Sequence, residues 1–320
     1  MLAQTHIKQQ LDALRHSNVS GFVRLRVAIE IRSFLGWLAA QTLYPRIYWQ
    51  ARGEDRPEYV ALGAIHELTE PHAIKQVCAN ASQHHDDSPR YYGGLAFDPA
   101  QSGWQGFGPC RFVLPRIELV RRGECVSLCL NLWLDDDNLE AELQAADAAL
   151  DALCPEAPLP ALQKQPWQRQ DCPGPAQWQT LVERVTAPDF QAHTPKVVLS
   201  RESVLTSPNH DADINPWAML DQWARHAQDC FHFGFQFSPE QAFIACSPER
   251  LYRREDRHHF TEALAGTIRR SGDEGIDAQL AAELLADSKN RLENRLVHAD
   301  ILSRLAPLAH DATLTEPRIL

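Results

Sequence analysis

Between Cys154 and Pro175, six of the chain's 21 prolines crowd together, at positions 155, 158, 160, 166, 173 and 175. Each proline fixes its own φ and lacks a backbone donor, so neither a helix nor a central strand can run through such a stretch. The helices and central strands of this 320-residue chain are therefore expected before and after it. Residues 154–175 read as a connector between an N-terminal half, 1–153, and a second half, 176–320. The length suits two ordinary domains or one large one, and no repeat of 20 to 50 residues points to a solenoid or propeller.

The N-terminal half mixes a helical stretch over 22–43 with strand-like runs at Ile47–Gln50, Tyr59–Ile65 and Val126–Leu132, and an alanine-rich helix at Ala141–Leu153. After the connector, Trp178–Val185 reads as a helix and Val197-Val198-Leu199 as a buried strand. Ile214–Cys230 reads as a helix that Asn215 caps, with Pro216 at its first position. Phe231–Phe237 alternates so that four phenylalanines share one face of a strand. A turn at Ser238-Pro239-Glu240, a return run at Phe243–Cys246 and a third strand near Phe260–Leu264 complete an antiparallel meander. One long helix is predicted from Ile276 to Leu305. Its apolar stripe of Leu292, Leu296 and Leu305, extended by Val297 and Ile301, places Glu293 at the edge of a buried face. Helices and antiparallel strands without a βαβ rhythm make the fold class α+β.

The function classes narrow on charge and motif. With 31 basic and 42 acidic side chains the net charge is −11, the wrong sign for a nucleic-acid partner. A mean hydropathy of −0.36 excludes a multi-span membrane protein, and the first ten residues lack the pattern of a signal peptide. A cytoplasmic location is expected. The eight cysteines follow no zinc or redox spacing and read as reduced, mostly buried side chains. Signatures of dinucleotide, P-loop, zincin and serine-hydrolase sites are absent. His84-His85-Asp86-Asp87 and His258-His259 read as solvated turns.

Four stretches stand out in order: Pro195-Lys-Val-Val-Leu-Ser-Arg201, Ser247-Pro-Glu-Arg-Leu251, Glu262-Ala-Leu-Ala-Gly-Thr267 and Lys289-Asn-Arg-Leu-Glu-Asn-Arg295. Taken singly, Lys196 reads as a solvated residue at a strand edge and Glu249 as part of a turn. Glu293 could be a surface acid, although Arg291 and Arg295 stand at the wrong spacing to pair with it. Together and in this order, the stretches resemble the chorismate-utilising enzymes, most closely the menaquinone-branch members that make isochorismate. Trp37-Leu-Ala-Ala-Gln-Thr-Leu-Tyr-Pro45 and Tyr92-Gly-Gly-Leu-Ala-Phe-Asp98 extend the resemblance over nearly the whole chain.

The resemblance implies one large chorismate-binding domain over 1–320, with antiparallel sheets flanked by helices. It implies Lys196 as the general base that activates water and Glu249 as the general acid for the leaving C4 hydroxyl, a pairing that needs two groups tuned in opposite directions. It further implies Glu293 as one of two magnesium ligands, Mg2+ being a hard ion suited to carboxylates, and Ala265, Gly266 and Thr267 as the turn that receives a substrate carboxylate. Relatives that install an amino group at C4 carry a lysine where Ala265 stands, which disfavours that chemistry, and ammonia-using relatives generally lack a lysine at the position of Lys196, so the resemblance implies water as the nucleophile. Salicylate formation stays open, as does an inactive truncated homologue that binds or packs. The family continues beyond residue 320 with a second metal-binding glutamate and further strands. Its absence here predicts an incomplete metal site and exposed sheet edges.

Overall fold

The computed structural model describes the chain apart from residues 1, 54–55, 81–87, 102–105, 136, 165, 209–213, 228, 310, 314, 316–318 and 320. In chain order the first elements are α1 (Leu2–Leu14), β1 (Gly21–Ala28), α2 (Phe34–Ala40), β2 (Arg46–Gln50), β3 (Glu58–Leu62) and β4 (His66–Leu68). Then come α3 (Pro71–Asn80), β5 (Tyr92–Leu95), β6 (Cys110–Leu114), β7 (Ile117–Arg122), β8 (Cys125–Leu134) and α4 (Leu139–Asp151). The second half holds β9 (Gln168–Cys172), α5 (Pro175–Thr186), α6 (Pro188–His193), β10 (Glu202–Thr206), α7 (Pro216–His226), β11 (Phe231–Ser238) and β12 (Gln241–Ser247). It ends with β13 (Arg253–Glu255), β14 (His258–Phe260), α8 (Glu274–Ala286) and α9 (Ser288–Leu305). Two units divide these elements: Met1–Leu162 with Ile214–Pro248, and Gln163–Asp213 with Glu249–Leu320.

The first unit is built on a seven-stranded antiparallel sheet in the order β1-β8-β7-β3-β2-β11-β12. Register and alternation give it two unlike faces. On one face Val23, Leu25 and Val27 stand opposite Leu132, Leu130 and Leu128, and the apolar surface continues through Ile117, Leu119, Val60 and Leu62. Ile7 and Leu11 of α1, Phe34 and Leu38 of α2, Leu143 and Leu150 of α4, and Trp217 and Leu220 of α7 close over it as one core. Each such side chain contributes roughly 1.5–3 kcal/mol on leaving water. The other face carries Arg24, Asn131 and Glu118 at one end and Tyr59, Trp49, Phe233 and Phe235 at the other. A three-stranded sheet, β4-β6-β5, packs Tyr92 and Val113 against Ile47 and Ala61 on that side. The expected architecture of a large antiparallel sheet flanked by helices is therefore present.

Four local expectations are corrected. Residues 22–43 are not helical throughout: β1 takes the first part because its alternating Phe22, Val23, Leu25 and Val27 find a full-length partner in β8, and the helix shrinks to α2, capped by Ser33. The long C-terminal helix is two helices, because the Asp287 side chain turns back to cap Asn290 N at 2.7 Å and starts α9 afresh. Val197–Leu199 form no strand and are not buried, with Val198 78% exposed, because no described neighbour supplies a ladder for them. Phe260–Leu264 adds no third strand to the meander; β14 pairs with β13 in a separate hairpin and 261–270 has no ladder partner among the described residues.

The second unit consists of the β9–β10 pair, the β13–β14 hairpin and helices α5, α6, α8 and α9. None of its described side chains is buried. No helix among the described residues is long and apolar enough to cross a membrane. His84 and His85 lie outside the described residues, and His258 and His259 stand exposed on β14.

Candidate active site

Two of the motif stretches, those of Lys196 and of the Ala263–Thr267 turn, meet on α9. Lys196 follows α6 by three residues, where Pro195 forbids further helix, and its half-buried side chain reaches across the second unit. Its Nζ donates to Glu293 Oε1 at 2.8 Å, although 97 residues separate the two in sequence. Lys289, one turn earlier on α9, donates to the other oxygen, Oε2, at 2.9 Å. The Lys196 ammonium first, and Lys289 second, hold the Glu293 carboxyl below its ordinary range. Glu293 in turn raises the Lys289 amine.

The same helix holds the Gly-Thr turn. Asn294 Nδ2 donates to Ala263 O at 2.7 Å. Gly266 adopts φ +87°, a left-handed conformation, and a Cβ there would stand 3.3 Å from Asn290 Cβ, so strain and space both select glycine. Ala265 and Gly266 are half-buried, while Thr267 is exposed. Thr261 Oγ1 fixes the start of this segment to Leu251 O at 2.8 Å, and Arg250 pairs with Glu262 at 3.5 Å. Glu249 is exposed in the stretch directly after β12.

Lys196, Glu293 and the Ala265–Thr267 turn are thus all referred to one helix. Lys289, Asn290 and Asn294 lie in a stretch that stands out in the sequence but were given no role there, though the i, i+4 spacings 289/293 and 290/294 could have shown that each pair shares a face of α9. The apolar stripe expected beside Glu293 is not buried: Leu292 is 51% exposed, and what encloses the carboxylate is its two lysines.

The donors do not fit magnesium as they stand. Both Glu293 oxygens accept from ammonium groups, and among the described residues no three His, Cys, Asp or Glu side chains gather as ligands.

With this geometry in place, comparison with known proteins is decisive. The description "Chorismate binding enzyme" fits residues 7–320. The chain belongs to the chorismate binding enzyme family. Within that family it is 35% identical to isochorismate synthase MenF of Escherichia coli (strain K12) over 286 residues, 89% of this chain and 63% of that protein. It is 30% identical to the salicylate biosynthesis isochorismate synthase of Pseudomonas aeruginosa, covering 87% of this chain and 60% of that one. The solved structure of the menaquinone-specific isochorismate synthase MenF from Escherichia coli superposes with a TM-score of 0.80 at 31% identity, over 95% of this chain and 68% of that one. The chain therefore spans somewhat less than two thirds of the length of these two curated family members.

Proposed function

We propose that this protein converts chorismate to isochorismate, adding water at C2 as the C4 hydroxyl departs, in the menaquinone branch and in the cytoplasm. The observation that carries the reading is the meeting of Lys196 and Glu293 at 2.8 Å, two motif residues brought together from 97 positions apart. The isochorismate synthases named above support it, as does Ala265 standing where amino-transferring relatives carry a lysine.

Lys196 is the proposed base. An ammonium has no lone pair, so the amine must leave Glu293 and shed a proton before it can accept one from water. Glu249, exposed after β12, is the proposed acid that protonates the departing C4 oxygen. The backbone amides at Gly266 and Thr267 are the proposed seat of a substrate carboxylate, which the missing Cβ lets approach closely. Glu293 is the proposed magnesium ligand, and a cation there must first displace two lysines.

Purified protein incubated with chorismate and magnesium, with products separated by chromatography, tests the proposal. Isochorismate should accumulate, and Lys196→Ala should slow its formation about 100-fold or more, the scale of a lost general base. No isochorismate, or equal turnover by the variant, refutes the reading. Salicylate with pyruvate transfers it to the salicylate-forming reaction.

A further inference from the structure

The segment from Ala263 to Thr267 has no ladder partner among the described residues, yet a turn that offers amides to a carboxylate must hold them in place to within a fraction of an ångström. What holds it is α9. Asn294 Nδ2 grips Ala263 O at 2.7 Å, and Asn290, itself fixed by Asp287 Oδ1 at 2.8 Å, packs against Gly266. Asn290 and Asn294 stand four apart on one stripe of the helix, and Lys289 and Glu293 form the stripe beside it. One stripe fixes the turn, while the other engages Lys196.

We propose that Asn294 is a positioning residue: its amide sets the distance between the carboxylate-receiving turn and the Lys196–Glu293 pair, and thereby the affinity for the substrate's carboxylate. It rests on the functional reading given above. Asn294 touches no reacting atom in this scheme. Its removal should therefore weaken binding and leave the chemical step unchanged.

Asn294→Leu keeps the side chain's size and removes the donor. Asn294→His restores an N–H at the δ position, from where it can again reach Ala263 O. For each variant of the full chain, the dissociation constant for chorismate is measured by calorimetry, and KM and kcat by product formation, with far-UV circular dichroism as the check on α9. The leucine variant should bind chorismate up to about tenfold more weakly, the scale of one hydrogen bond, and raise KM with kcat unchanged. The histidine variant should return within about threefold of the original affinity, since it regains most of that bond. Unchanged affinity in the leucine variant overturns the proposal, as does a fall in kcat alone. If the leucine variant loses its helicity, the histidine variant decides: near-original affinity supports the proposal, and tenfold weaker binding by a folded histidine variant refutes it. Failure of the unaltered protein to bind chorismate at all refutes the functional reading itself, and this inference with it.

Discussion

At the scale of single residues, the tightest chemistry in the first unit is a buried carboxylate. Glu118 is fully buried, an arrangement that is unfavourable unless donors replace the lost water. Arg24 supplies a close ion pair, Asn131 Nδ2 donates at 2.9 Å and the Tyr92 hydroxyl at 2.6 Å. Burial, and then the charge of Glu118, push the Tyr92 phenol well above its ordinary range, so it remains a donor at every pH near neutrality. Tyr92→Phe removes that donor and leaves a buried anion one bond short. Unfolding free energy in denaturant should fall by about 1–3 kcal/mol, the penalty for an unsatisfied buried group. A variant as stable as the parent would show that the carboxylate does not depend on this hydroxyl. None of this was legible beforehand: Tyr92 was noted as part of a resemblance, whereas its partner stands 26 residues away on a different sheet.

At the scale of elements, legibility follows whether the deciding contact is local. The start of α7 was readable because Asn215 and Pro216 are adjacent: the side chain accepts from Trp217 N at 3.1 Å and Ala218 N at 3.0 Å, and the proline needs no donor. The break between α8 and α9 was not, since Asp287 fits a helix interior by spacing and caps by conformation. β1 was hidden for a different reason. Its sequence carries apolar residues that suit either period, and β8, a hundred residues on, decides between them. The same logic defeated Val197–Leu199, an apolar run with no ladder partner among the described residues. Asn215→Ala should cost about 1 kcal/mol in unfolding free energy and Asn215→Gly a few tenths, because glycine keeps the cap's backbone conformation accessible. No loss in the alanine variant would mean that the side chain caps nothing.

At the scale of the whole molecule, burial is divided unequally. All the buried side chains among the described residues belong to the first unit, whereas the second leaves Val198, Leu205, Leu251, Leu292 and Leu308 exposed. Much of the second unit's order comes from surface ion pairs and helix caps, each of which contributes about 1 kcal/mol or less in water. The residues proposed for chemistry therefore stand on the less stable part of the chain, and the resemblance that identified them carried no information about that stability. A segment opens with a free energy set by its own buried contacts, so the two units should exchange backbone amide hydrogens at very different rates. In native-state hydrogen exchange, peptides from β7 and β8 should be the last to take up deuterium, protected to near the global stability. Peptides from β10, α8 and α9 should exchange early even though they hold regular hydrogen bonds. Chorismate, if it binds at α9, should slow exchange in Ala263–Thr267 and in α9 while leaving β7 and β8 unchanged, since ligand binding stabilises what it contacts and not what is already closed. Uniform protection across both units in the absence of ligand would refute this division of stability.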